Sequence, residues 1–198
     1  MGGRTVPVRA IKSSIISILA IGLLAGSVVG VAAQEEEAAA EPGTPTKVAG
    51  TIDQEAVDLV QPPTETVVGS VSEIRGAIVG GLRFEMDDPR LTGTVTNVAN
   101  HDRHIKKSEA INIMPSALGL RIENEAGSWS GQGTGVSHRG ATIPQDEAFS
   151  LDTYLLTGAG AYEGLSAYLV VDGTEDPVTV EGVIFAGGMP PAPELPAE

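Results

Sequence analysis

Between Ser128 and Val136 the chain alternates in a way few folds accommodate. At the two-residue period of a strand, Trp129, Gly131, Gly133 and Gly135 share one side, while Ser128, Ser130, Gln132 and Thr134 share the other. Three same-face glycines behind one large ring leave almost no side chain where a neighbouring strand must pack. Glycine inside a strand marks a hard bend, a bulge or the close approach of other atoms. Bends of that kind close a sheet into a small barrel. The feature constrains the fold and is silent about a reaction.

The surrounding sequence agrees with it. Short β-branched runs separated by turn residues read as an all-β meander. The runs are Val48 to Ile52, Thr66 to Ile74, Leu82 to Met86, Leu91 to Val98, Leu118 to Asn124, Ser128 to Val136, Phe149 to Leu156, Leu165 to Val171 and Val178 to Phe185. That is about nine strands and no convincing helix, with neighbours across short loops pairing antiparallel. Asp87-Asp88-Pro89-Arg90 reads as a turn, and His101 to Pro115 as the one long connection. All seven aromatics lie between Phe84 and Phe185, which places the core there.

Charge divides the chain. The first 33 residues contain no Asp or Glu, but they contain Arg4, Arg9 and Lys12 ahead of an apolar run from Ile15 to Val31. With Val31-Ala32-Ala33 at its end, residues 1–33 read as an export signal cut before Gln34. The alternative is an uncleaved membrane anchor, and both place the remainder outside the cytoplasm. Residues 34–46 (QEEEAAAEPGTPT) read as an acidic disordered linker, residues 47–187 as the folded domain, and residues 188–198, rich in proline, as a disordered tail. From Gln34 onward 9 basic residues face 26 acidic ones, a net charge of −17. Such a surface repels nucleic acid, which requires clustered Lys and Arg. The chain has no cysteine, so neither disulfides nor zinc thiolates hold the fold.

Three segments carry a resemblance. Gly158-Ala159-Gly160-Ala161-Tyr162-Glu163-Gly164 resembles the glycine-aromatic turn between two late strands of the allene oxide cyclase and dirigent-type β-barrels. Asp88 to Thr94, Arg121 to Trp129 and Tyr162 to Leu165 together resemble a set of secreted bacterial proteins of unknown function. The resemblance implies an eight- or nine-stranded antiparallel barrel. The polar pocket residues of the plant cyclase have no matching positions here, so no catalytic residue is assigned.

Candidate chemistry is sparse. His101, Asp102 and His104 offer metal donors, but the spacing fits no strong motif and a solvated loop explains them; neither a metal nor a cofactor is expected. His138-Arg139 is either an anion clamp at the barrel mouth or a strand-end turn closed by Gly140. Asp87 and Asp88 fit turn capping better than paired acid-base work. Gly131-Gln132-Gly133-Thr134-Gly135 has neither the helix nor the lysine of a phosphate loop. What remains is the lumen, for which Trp129, Tyr154, Tyr168, Gly131 and Gly133 are the candidate lining, with Leu, Val, Ile and Gly making up most of the rest. An eight-stranded barrel interior either packs shut or holds one small ligand. The favoured expectation is a non-catalytic exported barrel that either binds a small apolar ligand or acts as a surface or matrix module. The alternatives are an isomerase or cyclase of the allene oxide cyclase kind and a membrane-tethered structural module. The sequence leaves the oligomeric state open.

Overall fold

The computed structural model describes residues 44–106, 111–140, 143–144 and 146–188. The leader, the linker before residue 44 and the tail from residue 189 lie outside the described residues. Among the described residues every regular element is a strand, joined into one antiparallel sheet of ten. In chain order these are β1 (Thr46–Asp53), β2 (Asp58–Gln61), β3 (Thr64–Val68), β4 (Val71–Met86), β5 (Gly93–Lys106), β6 (Ile111–Glu123), β7 (Gly127–His138), β8 (Phe149–Gly160), β9 (Leu165–Asp172) and β10 (Thr179–Ala186). From β4 to β10 each strand pairs with the next in sequence. β1 is paired on both edges: Thr46 to Thr51 lie against β10, and Gly50 to Asp53 against β4.

β4 explains how one strand serves so many neighbours. One of its edges runs along β5. The other is shared in turn by β3 at Val71 to Arg75, β2 at Ile78 to Gly80 and β1 at Arg83 to Met86. The register against β5 slips between Ile74 and Ala77 and again between Val79 and Leu82. Gly76 and Gly81 sit in those slips at φ of 71° and 75°, backbone that a side chain disfavours. Each extra residue bends the strand and increases its twist, so 16 residues curve instead of running flat.

Two sequence expectations fail locally. Thr66 to Ile74 is not one strand, because Val68 pairs with Val71 around Gly69-Ser70, with Gly69 at φ 62°. A glycine opening a two-residue loop is a hairpin signal, and the run of β-branched residues on both sides obscured it. His101 to Pro115 is not a long connection either. β5 continues to Lys106 and β6 begins at Ile111, with His101 opposite Ser116 and His104 opposite Ile113. Polar groups there are held from neighbouring strands: Arg75 donates to the His101 carbonyl at 2.7 Å and to the Asp102 carboxylate at 2.6 Å, and Arg103 reaches Glu65 at 3.3 Å. β2, which the apolar periodicity did not single out, lies with β3 on the outer margin of β4, and Val60, Val67 and Val68 there are exposed.

The buried face forms one apolar cluster, including Val48, Phe84, Val95, Leu120, Ile122, Trp129, Leu156, Leu169, Val180 and Ile184. Alternation decides membership. On β6, Leu118, Leu120 and Ile122 are buried while Arg121 and Glu123 are exposed. On β9 the buried residues Leu169 and Val171 alternate with Tyr168 and Val170 in the same manner. Tyr168 is therefore on the opposite face, 43% exposed. Its expected place in the interior is wrong by one register step, which is enough to turn a strand residue outward.

Candidate functional site

The buried face has two ends of different chemistry. One is closed by the three segments that carried the family resemblance. Trp129, at the start of β7, is 0% exposed. Its ring stacks on Tyr162 at 5.2 Å between centroids and 15° between planes, and its indole Nε1 donates to the Arg90 carbonyl at 2.8 Å. Asn124 ties the same loops together. Its Oδ1 accepts from the Tyr162 hydroxyl at 2.8 Å and from the Ala126 and Gly127 amides, and its Nδ2 donates to the Thr92 carbonyl at 2.9 Å. Asp88 and Arg90 lock the remaining turn: the guanidinium donates to both carboxylate oxygens, which holds the Asp88 carboxyl below its usual range. Asp87 accepts from the Ala49 amide at 2.8 Å. Asp88 caps its own turn through the Arg90 amide, as expected, whereas Asp87 ties that turn to β1. Trp129 is structural packing at this end, not the lining of an open space.

At the other end, where β7 finishes and β8 begins, the packing leaves a cavity of about 200 Å³. Its wall is largely apolar, with Ile52, Val79, Leu82, Phe84, Val95 and Val171 among the lining residues. Six polar side chains border it: Gln54 just after β1, Asn97 from β5, Arg139 just after β7, and Ser150, Asp152 and Tyr154 from β8. A volume near that of a cavity that accepts benzene, an apolar wall and a few convergent polar groups are the usual ingredients of a small-molecule site.

The glycine face of β7 makes this end possible. Gly135 lies opposite Asp152 and Gly133 opposite Tyr154. A Cβ on Gly133 would sit 2.6 Å from Cδ1 of the Tyr154 ring and collide with the Thr153 carbonyl. A Cβ on Gly135 would collide with the Asp152 carboxylate, and one on Gly131 with the Leu155 carbonyl, 2.9 Å from the Leu156 Cα. The glycines therefore do not line the cavity. They are the bare floor over which the inward residues of β8 lie, and Tyr154 is the expected lining residue that the structure places at the cavity.

Burial sets the electrostatics. The Asn97 amide donates to the Tyr154 hydroxyl at 3.0 Å. Tyr154 resists ionisation because it is buried and because the Asp152 charge is beside it. The Asp152 carboxyl is raised above the ordinary aspartate range chiefly by desolvation, against the opposing pull of Arg139 and of the Tyr154 hydroxyl. His101, on the inward side of β5 with Nδ1 2.7 Å from the Ser116 hydroxyl, is pushed down by burial and by the charges of Arg139 and Arg75. The cavity lining thus holds one carboxyl group, which burial makes reluctant to ionise, and one guanidinium, while His101 borders a separate outer pocket with Arg75, Asp102 and Ser116. A desolvated carboxylate facing a cavity is the kind of perturbed group that marks functional sites.

The other candidates disperse. His101 and His104 are three residues apart on one strand, so their side chains leave on opposite faces. Among the described residues no group of three or more His, Asp or Glu is placed to hold a metal ion. His138 packs its ring against Phe149 at 5.7 Å, while Arg139 alone lines the cavity. Tyr168 borders a shallow outer groove with Val170 and Val183. Asn97 and Asp152 were missed because the interior was read as apolar. The alternations Val95-Asn97-Ala99 and Asp152-Tyr154-Leu156 place both inward by the same period that found the glycines. No protein-family model, curated protein or solved structure matches the chain.

Proposed function

We propose that the protein is an exported, closed β-barrel of eight strands that binds a small, mainly apolar molecule at the end of its interior bounded by Asn97, Arg139, Asp152 and Tyr154. The observation carrying this reading is the cavity of about 200 Å³ at that end, against the fully packed Trp129 end. Closure is supported by the pairing of β1 with both β10 and β4, leaving β2 and β3 outside the ring. Export is supported by the cationic, apolar and small-residue order of residues 1–33. Material recovered from outside the producing cell is expected to begin at Gln34 by intact mass; a full-length, membrane-bound product would support the tethered alternative instead.

Binding is tested by calorimetric titration of the folded chain with cycloalkanes of increasing ring size. Affinity is expected to rise by about 0.8 kcal/mol per added methylene until the cavity is full, and to fall beyond that. Val79→Phe, which fills the cavity from its wall, is expected to abolish the series. Heats that stay flat for every ring size would mean the interior takes no ligand.

An isomerase or cyclase of the allene oxide cyclase kind is the second reading. What favours it is Asp152, a half-buried titratable group facing the cavity, since proton transfer requires such a group within reach of the substrate.

A further inference from the structure

Resting on that binding reading, we infer that the cavity selects an uncharged ring compound bearing one hydroxyl or carbonyl, and rejects carboxylates and amines of the same size, because Asp152 and Arg139 converge on its head as an opposed pair.

The argument is one of charge balance in a confined space. Asp152 and Arg139 carry opposite charges and act on one another. Tyr154, from the same strand as Asp152, stays a neutral hydroxyl, and Asn97 from β5 contributes a neutral amide. His101, also on β5 but outside the cavity lining, is held toward its uncharged form by burial and by the charges of Arg139 and Arg75. The head is thus polar without net charge. An anion entering it would lie against the Asp152 carboxylate, and a cation against Arg139, each surrendering its hydration for no net attraction. A hydroxyl or carbonyl can instead donate to or accept from the groups already present while its ring lies on Leu82, Phe84, Val95 and Val171. Size points the same way: about 200 Å³ suits one six-membered ring with a substituent rather than a long acyl chain.

The test compares four probes of one shape against the full folded chain by calorimetry: methylcyclohexane, cyclohexanol, cyclohexanecarboxylate and cyclohexylmethylammonium. Cyclohexanol is expected to bind about fivefold more tightly than methylcyclohexane, the worth of one net hydrogen bond, and the two ions at least about a hundredfold more weakly than the alcohol. Two variants then separate charge balance from shape. Asp152→Asn leaves Arg139 unopposed and is expected to strengthen cyclohexanecarboxylate at least about tenfold. Arg139→Gln, at an exposed position, leaves Asp152 unopposed and is expected to strengthen cyclohexylmethylammonium to a similar degree. Asp152→Asn should keep its melting temperature at neutral pH, because the wild-type carboxylate is charged there at a cost. The inference is overturned if the wild-type protein binds either ion as tightly as the alcohol, or if the variants leave the ion affinities unchanged while methylcyclohexane still binds. In that case the binding reading stands and only the ligand class fails. If none of the four probes binds the wild-type protein, both fall together.

Discussion

Trp129→Ala is expected to destabilise the protein by about 3–5 kcal/mol, the range for removing a large buried aromatic. At about 2–4 °C per kcal/mol for a chain of this size, the melting temperature should drop by roughly 6–20 °C. The ring is 0% exposed, stacks on Tyr162 and bonds the Arg90 carbonyl. Its loss empties the closed end and frees a backbone carbonyl that three loops are arranged around. Trp129→Phe keeps a ring on Tyr162 but not the indole donor, so about 1–2 kcal/mol is expected. A drop of under 2 °C for Trp129→Ala, by calorimetry or circular dichroism, would contradict the assignment of this end as the packed anchor of the fold.

Gly133→Val should cost about 3 kcal/mol, at the upper end of what overpacking does. A Cβ there meets the Thr153 carbonyl and the Tyr154 ring. The nearest relief is for β7 and β8 to separate, which breaks the ladder from Gly127 to His138. Gln132→Val is the control, since Gln132 is exposed on the outer face and surface changes of this kind stay within about 0.5 kcal/mol. Because Tyr154 would be displaced, Gly133→Val should also lower ligand affinity wherever the variant remains folded. Equal melting temperatures for the two variants would place Gly133 on the wrong face.

Much of the architecture was legible because it rests on a period of two. The glycines of β7, the buried leucines of β6 and the loop glycines near Asn124 all announce themselves by spacing. What was lost had physical reasons. Tyr168 alternates with Leu169, and an aromatic ring looks like core until the register of the neighbouring strand is known. Polar side chains on β5 read as loop because their partners, Arg75 and Glu65, come from strands far off in sequence. The candidate site suffered most. Its polar residues are spread from Gln54 to Tyr154 in the chain, and no single stretch brings them together. The motifs that do stand out, around Asp88, Trp129 and Tyr162, gather at the opposite end, where they hold the structure shut. Conspicuous sequence and candidate chemistry are therefore at different ends of the same sheet.

That division is tested most directly by residue-resolved NMR of the folded chain during a titration with methylcyclohexane. Shifts are expected in the methyl groups of Val79, Leu120 and Val171 and in the side-chain amide of Asn97, with the Trp129 indole N–H unmoved at every ligand concentration. Shifts confined to the outer groove at Tyr168, Val170 and Val183, or a saturable shift of the Trp129 indole, would contradict the account.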